Sequence, residues 1–157
     1  MFANSNALIE RLEKLEIETQ TFYNPAVHTV EVAKALRGAL SGGHSKNLFL
    51  KDKKGCFWLI ITLEDKAIDL KALRRLIRSA QLSLGKPDKL QEILGILPGA
   101  VTPFSIINDK KQLVKVVLDQ DLLNFHPLVN TATTQISKKG LLTFIEDCGH
   151  KPIILTL

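Results

Sequence analysis

The stretch from Asn47 to Thr62 restricts the possible folds most. Asn47-Leu48-Phe49-Leu50-Lys51 and Cys56-Phe57-Trp58-Leu59-Ile60-Ile61-Thr62 are two apolar runs of strand length, joined by Asp52-Lys53-Lys54-Gly55. Aromatic and β-branched residues favour the pleated, half-buried surface of a sheet, and Asp and Gly are turn formers. The segment therefore reads as a β-hairpin around which the rest of the chain is organised.

The flanking sequence reads as strands intermixed with helices. Ser5 begins a first helix with Leu8, Leu12 and Leu15 on one face, and Gln20 to Tyr23 is a short extended run. Thr29 caps a second helix, Val30 to Arg37, which Gly38 ends. Asp69 caps a helix to about Arg78 that turns Leu70, Leu73, Leu76 and Ile77 inward. Gln81 to Leu84 is a short strand. Pro87 opens a short helix that Gly95 closes. Leu97 to Phe104 is a loop constrained by Pro98 and Pro103. Ser105–Ile107 and Leu113–Leu118 are expected to form a second hairpin, and Leu128 to Ile136 one long strand with polar residues interleaved. Ser137 caps a last helix to Cys148, Gly149 stops it, and Ile153 to Leu157 is a final strand. With no linker or repeat, residues 1–157 read as one continuous domain of mixed α/β (α+β) type, with a mixed rather than doubly wound parallel sheet.

Composition excludes several classes. At 45% apolar and 24% charged residues the chain is a folding sequence. No run approaches the roughly 20 apolar residues of a membrane-spanning helix, and the N-terminus lacks a signal-peptide layout. A cytoplasmic protein without a membrane partner is the expectation. The two cysteines, Cys56 and Cys148, have no metal or redox spacing and are expected as free thiols. A net charge of +5 favours an anionic partner but does not prove one, and on charge alone a solvated basic face is the plainer account. Walker, G-x-G-x-x-G, G-x-S-x-G and H-E-x-x-H motifs are all absent.

What remains is a set of polar residues in apolar surroundings. Lys46-Asn47 and Lys51 punctuate the first run, and His126 and Asn130 flank Pro127-Leu128-Val129. Polar groups in buried strands cost free energy unless they are paired or face a site, so the two segments are expected to meet across a cleft. Lys46 follows Gly42-Gly43, where backbone can approach a ligand closely, and a lysine suits a phosphate or a developing oxyanion. The plainer alternative is a surface lysine at a strand start. Asn47 either binds a ligand or caps the hairpin edge; His126 is a site group or a structural histidine. Gly99, between Pro98 and Pro103, offers bare backbone or is an ordinary connection. Asn130, Thr131, Thr133 and Thr134 form a cleft wall or a solvated strand face, and Arg74, Arg75 and Arg78 form a basic helix face.

In order and spacing, several segments resemble the YbaK/ProX-type aminoacyl-tRNA deacylases, free-standing relatives of the editing domain of bacterial prolyl-tRNA synthetases. They are Asn24-Pro25-Ala26-Val27-His28-Thr29-Val30-Glu31, Lys46-Asn47-Leu48-Phe49-Leu50-Lys51-Asp52, Leu94-Gly95 with Pro98-Gly99-Ala100-Val101-Thr102-Pro103-Phe104, Asn108-Asp109, and Phe125-His126-Pro127-Leu128 with Asn130 and Thr134. The second and last are most similar to the branch that removes alanine from proline tRNA.

The resemblance implies a central, partly barrel-like mixed sheet and hydrolysis of the ester between an amino acid and the terminal adenosine of tRNA. It implies no cofactor, metal or protein nucleophile, with help from the substrate's ribose 2′-hydroxyl. It makes Lys46, His126 and the Gly99 backbone the catalytic positions and Asn47, Lys51, Asn130 and Arg78 the substrate-binding ones. Its partners are mischarged tRNA(Pro) and, through borrowed affinity, prolyl-tRNA synthetase. Relatives lead one to expect an arginine near Gln81; either Arg78 takes its place or tRNA is held less tightly. Deacylation of serine, cysteine or threonine esters, a non-catalytic module that binds tRNA or the synthetase, and a small-molecule hydrolase stand as alternatives.

Overall fold

The computed structural model describes residues 5–21, 43–97, 101–125, 128–129 and 134–157. Its organising element is the hairpin of β2 (Gly43–Asp52) and β3 (Phe57–Leu63), in antiparallel register from Ser45↔Leu63 to Lys51↔Phe57. Asp52 builds the turn. Its Oδ1 accepts the amides of Lys54 at 2.9 Å and Cys56 at 3.0 Å, and Gly55 takes a φ of 85° that residues with a Cβ rarely adopt.

The other strands are β1 (Thr19–Thr21), β4 (Leu82–Leu84), β5 (Val114–Asp119), β6 (Leu128–Val129), β7 (Thr134–Ile136) and β8 (Ile153–Leu155). They join the hairpin in the order β1-β7-β6-β2-β3-β5-β8, with β4 also on β2. β3–β5, β5–β8 and β2–β6 are parallel and the remaining pairs antiparallel, so the sheet is mixed as expected. β2 is long enough to hold two partners on the edge away from β3, with β6 at Gly43–His44 and β4 at Leu50–Asp52. Among the described residues no pairing closes β1 onto β8, so the sheet is open.

Both faces of the hairpin are covered, which explains the near-continuous apolar run of β3. Phe49, Leu59 and Ile61 share one core with Val116 and Leu118 of β5. Against it pack α1 (Ser5–Lys14) through Leu12, α3 (Pro87–Leu94) through Leu90 and Leu94, and α5 (Lys138–Asp147) through Leu141, Phe144 and Ile145. Leu50, Trp58, Ile60 and Val117 face the other way, onto Leu73 and Ile77 of α2 (Leu70–Ile77). Caps fall where the sequence puts them: Asp69 accepts the Lys71 amide, Ser137 accepts the Gly140 amide, and Gly95 ends α3 at a φ of 68°. No helix among the described residues is long and apolar enough to cross a membrane.

Four expectations change. Ser105–Ile107 is no strand: Pro103–Asn108 forms a 3-10 helix, capped by Thr102, whose hydroxyl oxygen accepts the Phe104 amide at 3.2 Å. The partner of β5 is therefore β3, in parallel, and the second hairpin does not exist. Asp109 makes this possible. Its buried carboxylate accepts the amides of Leu113 at 2.9 Å and Val114 at 2.8 Å and pairs with buried His150 at 2.9 Å, anchoring the start of β5. Burial raises the Asp109 carboxyl, but these hydrogen bonds outweigh it and hold the group below the usual carboxylate range. Residues 128–136 form not one strand but β6 and β7, paired antiparallel. Leu76 does not turn inward but is 48% exposed, because Leu73 and Ile77 already fill the contact with the sheet. Both cysteines are free and partly buried, and burial pushes the Cys148 thiol up to about 11. The helix expected over Val30–Arg37 lies outside the described residues, as does the end of the run to Tyr23.

Candidate functional site

The start of β2, just before Lys46, lies beside Leu128–Val129 as a neighbouring strand, while His126 and Asn130, on which the expected cleft also depends, lie outside the described residues. Gly43 pairs with Leu128 and His44 with Val129. The bare face of Gly43 is taken by Phe125, and a Cβ built on Gly43 would lie 2.5 Å from the Phe125 Cβ. This glycine thus serves chain packing rather than ligand approach. Gly43→Ala is expected to cost about 1–3 kcal/mol, the usual penalty of overpacking, and to lower the melting temperature by several degrees. Thermal unfolding followed by circular dichroism checks it.

Strand alternation separates the two candidate side chains at the start of β2. Asn47 lies opposite Ile61, on the face of the larger core, where its Nδ2 donates to the Val101 carbonyl at 3.1 Å. Its Oδ1 is buried and has no hydrogen-bond partner among the described residues. On the same face, two residues before Asn47, Ser45 lines a small cavity of about 10 Å³ with Ile61, Pro103, Phe104, Leu122 and Leu128. Leu122 comes from α4 (Gln120–Leu123), the short helix after β5.

Lys46 lies opposite Thr62 and leaves by the other face, where its Nζ donates to the main-chain carbonyl of Lys66. The Lys66 side chain pairs with Asp119 at 2.8 Å and Asp121 at 2.6 Å and donates to the Leu157 carbonyl at 3.0 Å. Asp119, fully buried, also accepts the Thr62 hydroxyl at 2.6 Å. Burial disfavours both charges, but the hydrogen bonds between them outweigh it. The Lys66 ammonium is held above the ordinary lysine range and the Asp119 carboxyl below the ordinary carboxylate range. Asp119 caps α4, so the charged cluster and the apolar cavity lie at the same end of the sheet.

The remaining candidates divide. Lys51 shares the Asn47 face, as alternation requires, but pairs with Phe57 and Ser83 near the hairpin turn. Five residues of strand separate it from Lys46, about 17 Å of rise. Arg78 caps α2 in the left-handed region at a φ of 55°, exposed like Arg74 and Arg75 on that helix. The chain then reaches Gln81, whose carbonyl accepts the Lys53 amide at 3.1 Å, so Arg78 belongs to the turn end of β2. Gly99, His126 and Asn130 lie outside the described residues. Sequence reasoning missed Ser45, Thr62, Lys66, Asp119 and Leu122. Thr62 and Asp119 carried a usable signal, since each is a polar residue in or at the end of an apolar strand, the argument that singled out Lys46.

An open mixed sheet with a small apolar cavity at one end, a buried amide on the same face and a cluster of paired lysines and aspartates behind it defines a small α/β domain. The chain belongs to the aminoacyl-tRNA editing domain family, whose model matches residues 24–144. It is 39% identical over 159 residues to the prolyl-tRNA synthetase associated domain-containing protein 1 of Bos taurus, covering 95% of this chain and 92% of that one. It is 34% identical over 150 residues to the prolyl-tRNA editing protein ProX of Acetoanaerobium sticklandii, covering 92% of each. A solved structure described as a candidate trans-editing enzyme for prolyl tRNA synthetase matches the fold with a TM-score of 0.68 at 21% identity, covering 100% of this chain and 99% of that one.

Proposed function

We propose that this protein hydrolyses mischarged aminoacyl-tRNA in trans, removing alanine from tRNA(Pro). The observation that carries the reading is the cavity lined by Ser45 and Ile61, on the face of β2 that also carries Asn47. At about 10 Å³ it matches one methyl group or one water, and apart from Ser45 its walls are apolar. A methyl side chain enters it, whereas a pyrrolidine ring clashes with Pro103, Phe104 and Leu122. Exclusion by size is the discrimination that a synthetase pocket cannot apply to an amino acid smaller than its own. The buried Oδ1 of Asn47, without a partner among the described residues, supplies an acceptor on the same face for the α-ammonium group of the substrate.

Water attacks the ester carbonyl, negative charge develops on its oxygen, and the 3′-oxygen of the terminal ribose leaves with a proton. Lys46 contributes the positive charge at this end of the sheet, and the backbone at Gly99 and His126 complete the catalytic set. Asn130 completes the substrate pocket. Lys51 and Arg78, with the exposed Arg74 and Arg75, contact the tRNA backbone at the turn end of β2, in a salt-dependent way. The neighbouring 2′-hydroxyl of the substrate assists the proton transfers. Prolyl-tRNA synthetase is the partner that supplies the mischarged tRNA.

The test is hydrolysis of alanyl-, seryl-, cysteinyl-, threonyl- and prolyl-tRNA(Pro) side by side. Alanine is expected to be released with proline spared by about 100-fold or more. Preferential loss of serine, cysteine or threonine moves the protein to another branch of the family. No hydrolysis of any ester by folded protein replaces the enzymatic reading with a tRNA- or synthetase-binding module.

A further inference from the structure

We propose that Lys66 is a positioning residue for Lys46: Asp119 and Asp121 clamp its side chain so that its main-chain carbonyl holds the Lys46 ammonium while its own charge occupies the neighbouring carboxylates. The inference rests on the reading of Lys46 given above.

Three adjacent strands place the groups in one row. Lys46 pairs with Thr62 across β2 and β3, and the β3–β5 register of Ile61 with Leu118 brings Thr62 beside Asp119. The Thr62 hydroxyl donates to Asp119 Oδ2 at 2.6 Å, and Asp119 Oδ1 accepts the Asp121 amide at 3.0 Å. A carboxylate so buried demands a cation. Lys66 fills the demand from the turn after β3, where its own amide donates to the Leu63 carbonyl at 3.1 Å. All three of its ammonium protons have acceptors, in Asp119, Asp121 and the Leu157 carbonyl. The peptide of Lys66 is thereby pinned through both side chain and backbone, and its carbonyl receives Lys46.

The division of labour has a chemical consequence. A carbonyl orients an ammonium group without cancelling its charge, whereas a carboxylate would neutralise it. Without Lys66, Lys46 is the cation placed in the same row as Asp119, and pairing with it would draw the ammonium onto Asp119 and away from a substrate. Lysine is a flexible four-carbon arm with a compact point charge, so both its direction and its freedom from carboxylates must come from its surroundings.

The experiment is single-turnover hydrolysis of alanyl-tRNA(Pro) by Lys66→Met, Lys66→Arg and Lys46→Ala, and by Lys66→Met combined with Lys46→Ala, with melting curves for each. Lys66→Met is expected to lower the rate on the order of 100-fold, the scale of a misplaced reacting group. Lys66→Arg restores most of it, because charge and carboxylate pairing return. Adding Lys66→Met to Lys46→Ala lowers the rate no further, since the clamp acts through Lys46 alone. A folded Lys66→Met protein with the wild-type rate, or an equal loss with and without Lys46, overturns the inference and leaves the reading of Lys46 standing. A fully active Lys46→Ala protein removes that reading itself, and the inference with it. If Lys66→Met does not fold, Asp121→Asn decides the matter: its side chain is 43% exposed, and the buried Lys66–Asp119 pair survives. It is expected to cost about threefold, the scale of an exposed ion pair, with Lys46 present and nothing with Lys46 replaced; any other pattern overturns the inference.

Discussion

Lys46→Ala is expected to abolish most of the proposed deacylation while leaving the fold in place. The expected loss is on the order of 10²–10³-fold in the single-turnover rate, the scale of removing one group that stabilises a developing oxyanion. The structural cost is small because Lys46 belongs to neither buried core cluster and its side chain makes one hydrogen bond among the described residues, to a carbonyl. Losing it costs about 1 kcal/mol, or a melting temperature lower by about 3 °C. Circular dichroism and hydrolysis of alanyl-tRNA(Pro) measure the two quantities on one preparation. A variant that keeps both activity and melting temperature would show that Lys46 is a surface lysine, the plainer reading of its sequence context.

Leu122→Ala produces the second large effect, on stability and selectivity together. Leu122 is fully buried and lines the cavity with Ser45 and Ile61. Truncating a buried leucine removes its transfer free energy and leaves a void, at a cost of about 2–5 kcal/mol, which lowers the melting temperature by about 10 °C. The enlarged cavity admits larger side chains, so hydrolysis of seryl- and cysteinyl-tRNA(Pro) rises relative to alanyl-tRNA(Pro). The ratio of the rates measured below the melting transition carries the test. An unchanged ratio in a destabilised but folded variant means that this cavity does not read the amino acid, and the observation behind the alanine assignment falls.

Most of what depended on neighbours in the chain was legible. The turn at Asp52–Gly55 is built by a side chain reaching two and four residues onward, and the caps at Asp69, Ser137 and Gly95 are equally local. Alternation also placed Lys51 with Asn47 and opposite Lys46, since it follows from the two-residue period of a strand. The misreadings have one local and one long-range source. Ser105-Ile106-Ile107 is apolar, but so short a run does not distinguish strand from helical turn, and the Thr102 cap with Asp109 decides for the 3-10 helix. The parallel seat of β5 beside β3 needs a crossover whose direction no short motif encodes.

The candidate site divides along the same line. Sequence alone marked Lys46 and Asn47, because polar groups within apolar strands cost desolvation energy that calls for a partner or a ligand. Only the tertiary structure decided which partner each one meets. The face of β2 that carries Asn47 turns to the cavity and the Val101 carbonyl, and the face that carries Lys46 turns to Lys66 and its carboxylates. The physical reason is that a period of two determines that neighbouring residues oppose each other, while what lies on each side depends on residues some 15 to 95 positions away, brought there by packing.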